Sequence, residues 1–224
     1  MTAEQLAALA IRELAPKLAQ EPGLLRFSTY AFSDGRFGSF SVYEDQTAGS
    51  HAAPIAADWV RSSNAMRGFK LVDTMEGEII YAVQGSAGRE GRLHSLARIY
   101  ESNACGEELK AALEEEAGDA IRNLPGLARY AVVKLADGRV GMFSGFDTLE
   151  NARSSTAKAK ALRGKAGSRL AALLPSDPVV IEGRPVGHAT LPASGAIDAN
   201  RDAITRIVTS TATSARPGST RGPG

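Results

Sequence analysis

Three histidines, His51, His94 and His188, are the chain's whole supply of imidazole, and Cys105 is its one thiol. A three-histidine metal site is chemically conceivable. Yet no carboxylate stands at a ligand-like spacing beside His94 or His188, so unlinked surface or strand histidines are the simpler reading and no metal is expected. Cys105 precedes a predicted helix, a place that lowers a thiol's pKa, but no neighbouring histidine serves as its base. Arg26 and Arg129 occupy equivalent places in two similar stretches. Facing a pocket, the pair holds an anionic substrate or enolate through paired hydrogen bonds; facing solvent, it pairs with acids such as Glu44 or Asp147, and this second reading is preferred. Arg153, Lys158, Lys160, Arg163, Lys165 and Arg169 face only Glu150 on one predicted helix. Without interleaved aromatics for base stacking, that face reads as solvated. No phosphate loop, dinucleotide glycine fingerprint or cysteine–histidine metal spacing occurs, and GREGR at Gly88–Arg92 lacks a strand-to-helix context.

The elements that must position these residues are organised around a duplication. Glu21–Glu44 aligns without a gap to Leu124–Asp147, 103 residues on, with ten identities in 24 positions; composition alone gives roughly one or two. Pro22, Gly23, Leu24, Arg26, Asp34, Gly35, Arg36, Gly38, Phe40 and Ser41 all recur. A period this long suits two domain-sized units and no solenoid. In each copy a strand runs into an Asp-Gly hairpin and returns. Phe27 opposes Tyr30 and Phe32, and Phe37 opposes Phe40, so the sheet is covered on both faces. Helices are expected over Glu4–Ala19, bent by Pro16, over Thr47–Met66, interrupted by Pro54, over Glu107–Asn123, and from Asp147 to Leu174. Strands are expected at Gly77–Val83, Leu93–Glu101 and Pro178–Ala189.

The second copy then reads βαββαβ, the ferredoxin-like split unit. The first begins directly on its helix and lacks an opening strand. Ile204–Thr213 resembles Leu96–Cys105, with Arg206 matching Arg98 and Ile207 matching Ile99. Joining Thr213 to Ala3 reconstructs an intact first repeat, which implies a circular permutation; the pairing also covers a strand edge that would otherwise stand open. The expected division is 3–84 plus 203–213 for unit one and 92–190 for unit two. A connector spans 191–202, and 214–224, built of Pro, Gly, Ser, Thr and Arg, is a disordered tail.

Two such units in one chain resemble the antibiotic biosynthesis monooxygenase-like family of the dimeric α+β barrel superfamily. The residues that carry the resemblance are the turn–strands Pro22–Arg26 and Pro125–Arg129, the hairpins Asp34–Arg36 and Asp137–Arg139, and the helix opening at Asp147–Glu150. The resemblance implies an α+β fold of two ferredoxin-like units fused as a pseudo-dimeric barrel. It also implies a cofactor-independent, monooxygenase-like activity on a small apolar or aromatic substrate. His51, Trp59 and Tyr30 are the catalytic candidates it suggests, with Asn64, Arg26 and Phe40 as substrate-binding candidates. The bland alternative makes Trp59 a core anchor and His51 a surface residue. Haem binding is a minor alternative, since the family's haem-degrading branch pairs a helix histidine with a nearby tryptophan. The rival class is a non-catalytic binding or scaffold barrel.

Composition narrows the partners. The chain has 224 residues with 26 Lys and Arg against 25 Asp and Glu, so no global field draws nucleic acid or an anionic membrane. No apolar run is long enough for a bilayer, and one cysteine fits a reducing compartment. A cytoplasmic protein is expected, a monomer with an internal pseudo-dimer or a homodimer, with a small-molecule ligand, no nucleic-acid partner and no cofactor.

Overall fold

The computed structural model describes residues 1–87, 93–190 and 204–207. The connector 191–202, the tail 214–224 and the linker motif at 88–92 lie outside the described residues. Eight strands close into a barrel in the order β1-β2-β8-β3-β5-β6-β4-β7. They are β1 (Leu24–Phe32), β2 (Phe37–Tyr43), β3 (Met75–Gln84), β4 (His94–Tyr100), β5 (Leu127–Leu135), β6 (Val140–Phe146), β7 (Val179–Thr190) and β8 (Ile204–Ile207). Every pairing is antiparallel. β8 enters between β2 and β3, with Arg206 opposite Ser41 on one side and Glu76 on the other. The half β5-β6-β4-β7 repeats the arrangement of β1-β2-β8-β3.

Helices pack outside both halves. α1 (Ala3–Glu13) starts with a capping box between Thr2 and Gln5, and Pro16 opens the short α2 (Ala15–Leu18) where the bend was expected. α3 (Gln46–Ser62), capped by Asp45, runs unbroken through Pro54, against the expected interruption. Pro54 is exposed, so the carbonyl that loses its amide partner faces water. The expected helix 107–123 divides at Ala117 into α4 (Gly106–Glu116) and α5 (Gly118–Arg122). The expected helix to Leu174 likewise divides, into α6 (Leu149–Arg163) and α7 (Arg169–Leu173). Gly167, at φ 77°, turns the chain between them, and Glu116 accepts hydrogen bonds from the Ser168 hydroxyl and the Arg169 amide at 2.8 Å. α6, expected to open at Asp147–Glu150, is capped by Thr148, whose hydroxyl accepts from the Asn151 amide at 3.1 Å.

The two hairpins are built alike. Gly35 and Gly138 adopt φ 84° and 94°, their amides donate to Phe32 and Leu135, and each Asp accepts from the Arg two residues on. The aspartate fixes the turn while glycine takes the left-handed backbone that a side chain resists.

Candidate functional site: the barrel lumen

A bulge decides which way the equivalent arginines point. The register of β1 against β2 shifts between Leu24 and Arg26, and that of β5 against β6 shifts between Leu127 and Arg129. Strict alternation would put Leu24 and Arg26 on one face; one extra residue moves Arg26 to the other. Leu24 and Phe27 therefore both pack under the helices of the first half, and Leu127 and Tyr130 under those of the second. Arg26 and Arg129 turn into the lumen, where both line one cavity of about 180 Å³. The preferred expectation of solvent-facing arginines does not hold. A bulge of one residue leaves no mark in composition.

Counting strands fixes the relation between the two. β1 and β5 are four antiparallel steps apart in the closed order, so they run in the same direction on opposite walls. Arg26 and Arg129 are each the third residue of their strand, and both lie at the same end of the lumen. Gln84, Ser95 and Val42 line the cavity at this end too, Gln84 lying opposite Arg129 and Val42 opposite Arg26. The other end is filled by Met75, Ile99, Val133 and Leu135, with Phe40, Ile79 and Phe143 packed against them. Phe40 and Phe143, equivalent residues of the two repeats, meet at 5.4 Å between ring centroids, tilted by 55°. They form the floor of the cavity.

Tyr30 presents its hydroxyl within. Arg129 reaches across the lumen to donate to the Tyr30 hydroxyl at 3.1 Å, and Arg26 donates through Nε to Ser28 Oγ at 3.0 Å. Burial pushes the Tyr30 phenol up; the Arg26 charge and a hydrogen bond with Ser28 oppose it without winning. Tyr30 is thus a neutral hydroxyl at neutral pH, able to donate to an oxyanion. The cavity wall is otherwise mostly apolar, and none of the described lining residues is Asp, Glu or His. Two guanidiniums in such surroundings suit a flat, anionic or enolisable molecule.

Tyr30, Arg26 and Phe40 are thus brought together from the expected set. His51, Trp59 and Asn64 are not among the cavity's lining residues. His51 is exposed on α3, and Asn64 is exposed in the single 3₁₀ turn after it. Trp59 is 3 % exposed in the core between α3 and the sheet, and its Nε1 donates to Glu13 at 3.3 Å. His94 stands opposite Phe146, and His188 opposite Ser28, so the two histidines are not cross-strand partners. Among the described residues no group of three or more His, Cys, Asp or Glu side chains gathers in one place. Arg129 was weighed as a pocket residue and placed in solvent instead, and Gln84 and Ser95 were missed as site residues. The repeat had marked Arg129 as equivalent to Arg26, and that was the one signal available.

No protein-family model matches the chain, and no curated protein matches it significantly. Solved structures do. One described as an anthrone oxidase-like protein superposes with a TM-score of 0.58 at 12 % identity, covering 86 % of this chain and 90 % of its own. One from Fusobacterium nucleatum subsp. nucleatum, described as a "putative monooxygenase", superposes with a TM-score of 0.55 at 9 % identity, covering 81 % and 85 %. At these identities the likeness is one of fold, and it spans both halves of the barrel.

Proposed function

We propose that the chain is a cofactor-independent, monooxygenase-like protein acting on a small aromatic or otherwise apolar substrate held in the barrel lumen. One observation carries the reading: Arg26, Arg129 and the neutral Tyr30 hydroxyl line one end of an apolar cavity floored by Phe40 and Phe143. A substrate with an acidic CH2 conjugated to a carbonyl, an anthrone for example, enters flat against the phenylalanines. Its oxygen faces the guanidiniums. They stabilise the enolate, and the proton leaves to water because the described wall offers no base. The carbanion passes electrons to dioxygen; one oxygen atom ends in the product carbonyl and the other leaves as water, with both C–H hydrogens accounted for. His51, Trp59 and Asn64, which lie off the lumen, have no part in this reading.

The architecture we propose with it is two ferredoxin-like units, 3–84 plus 203–213 and 92–190, fused in one permuted chain. The strand order supports it: β8 takes in the first half the place that β4 takes in the second. The proposed partner is a small molecule, the proposed assembly a monomer or homodimer, and the proposed location the cytoplasm. No helix among the described residues is long and apolar enough to cross a membrane.

The test is dioxygen uptake with a panel of anthrones and phenols. Uptake is expected with at least one, reduced on the order of 10²-fold in Arg26→Met and in Arg129→Met, the scale for losing one oxyanion donor. No uptake with any of them rejects the enzymatic reading. A second reading, a non-catalytic binding barrel, is favoured by the lack of a carboxylate or imidazole among the described lining residues. It is upheld by saturable binding, sensitive to the same substitutions, without oxygen consumption.

A further inference from the structure

Outside the lumen, between β4 and the helices of the second half, lies a separate cavity of about 280 Å³. Arg98 on β4 projects into it and is 2 % exposed. Its Nη2 donates to Ser155 Oγ and, at 2.9 Å, to Thr156 Oγ1 on α6. Its Nε is buried with no hydrogen-bond partner, and none of the described ion pairs supplies it a carboxylate. A buried guanidinium held only by two neutral hydroxyls is an uncompensated charge, which protein interiors avoid unless something anionic arrives. The nearby Arg163 is paired with Asp177 at 2.6 Å and with the Leu174 carbonyl at 3.0 Å, although its own buried Nε also has no partner.

The rest of the wall says what kind of anion fits. Leu113, Ile121, Leu162, Leu170 and Leu174 give it an apolar body, and Lys158 and Lys165, both exposed, stand at the rim. We infer that this cavity binds a carboxylate with an apolar body, a medium-chain fatty acid or an arylalkanoic acid. Its head sits on Arg98 Nε, and its tail lies among the leucines. The rim lysines raise the local concentration of anions. This site is independent of the lumen and of any reaction there.

Isothermal titration of the full chain with octanoate and with 3-phenylpropanoate tests it, with 1-octanol as the uncharged control. Saturable binding of at least one acid is expected, and octanol at least tenfold weaker than octanoate if the fatty acid is the ligand. Arg98→Met is expected to weaken the acid at least tenfold. Leu162→Trp, which places in this cavity the residue that fills the corresponding space of the first half, is expected to abolish binding while the fold is kept. Failure of both acids to bind, equal affinity for acid and alcohol, or an Arg98→Met protein that binds as tightly as the parent overturns the proposal. So does a loss of affinity in Arg129→Met with none in Arg98→Met, because that puts the acid in the lumen.

Discussion

The helix layers over the two halves differ at one aligned pair. Trp59 on α3 and Leu162 on α6 are 103 residues apart, the same offset that relates the hairpins. In the first half the indole belongs to one buried cluster with Leu6, Leu14, Leu18 and Met66. In the second half Leu162 borders a cavity of about 280 Å³. Below it, Ser155 and Thr156 stand where the first copy has Ala52 and Ala53, and Arg98 uses both hydroxyls. The aligned helices α3 and α6 leave two comparable spaces against the sheet. One was filled by an aromatic side chain, and the other kept open with a charge inside it. Barrel closure does not need the second to be full.

Exchanging the two residues tests that asymmetry most severely. Trp59→Leu empties a close-packed site and removes the bond to Glu13; a loss of about 2–4 kcal/mol is expected by urea unfolding, somewhat below the scale of tryptophan-to-alanine changes. A loss under about 1 kcal/mol would mean the first layer closes over the gap and is as tolerant as the second. The reciprocal Leu162→Trp is expected to gain about 1 kcal/mol by filling space; a net loss would mean the cavity is too narrow or already lined too rigidly.

A smaller contrast lies in the tyrosines. Burial raises the Tyr130 phenol, and burial also raises Tyr100 against the opposing charges of Arg98 and Arg163. The residue aligned with Tyr130 in the first copy is Phe27, which cannot ionise. A phenol whose pKa is higher in the fold than in the unfolded chain lends stability that is complete below pH of about 10 and is lost as pH climbs through its folded value. Burial raises Tyr30 and Tyr81 in the first half as well, but the shift at Tyr130 is the large one. β5 and β6 are therefore expected to lose most in alkali, read as a greater rise in amide exchange there than in β1 and β2. Tyr130→Phe should delay it. An identical alkaline midpoint in parent and variant would remove Tyr130 from the account.

The smallest expected difference is between the hairpins. The hydrogen bond from Arg139 holds the Asp137 carboxyl below the usual range, with burial working against it. Its stabilisation is present above pH of about 4 and fades as pH falls through the lowered value. Arg139 also reaches Asp73 at 3.4 Å, whereas Arg36 lies over the Phe32 ring, 6.0 Å from its centroid. Asp137→Asn and Asp34→Asn are each expected to cost a few tenths of a kcal/mol, as half-exposed pairs do, with Asp34→Asn the costlier because no second carboxylate takes over. Equal losses in the two would mean that Asp73 contributes nothing.

What could be read from residues alone follows from which interactions are local. Asp34-Gly35 and Asp137-Gly138 specify their turns through their own backbone chemistry, and the offset between copies exposed the repeated strands. The alternation of Phe27 against Tyr30 and Phe32 marked a sheet covered on both faces, and Tyr30 and Phe40 do line the lumen. The direction of Arg26 was not legible, because the bulge that sets it depends on how β1 registers against β2. Arg98 escaped notice for a related reason: an arginine in an apolar strand looks like an edge residue until helices cover it. His51 and Trp59 drew attention by residue type and lie elsewhere, one on the surface and one in the packed layer.

The position of β8 carries a consequence for the order in which the molecule is made. β1 and β2 emerge from the ribosome early, yet β2 and β3 cannot be joined until the segment around Ile204–Ile207 arrives. The second half, from β4 to β7, has all its strands contiguous and is free to assemble as it is synthesised. The half begun first is completed last, and it waits with unpaired strand margins that invite association with other nascent chains.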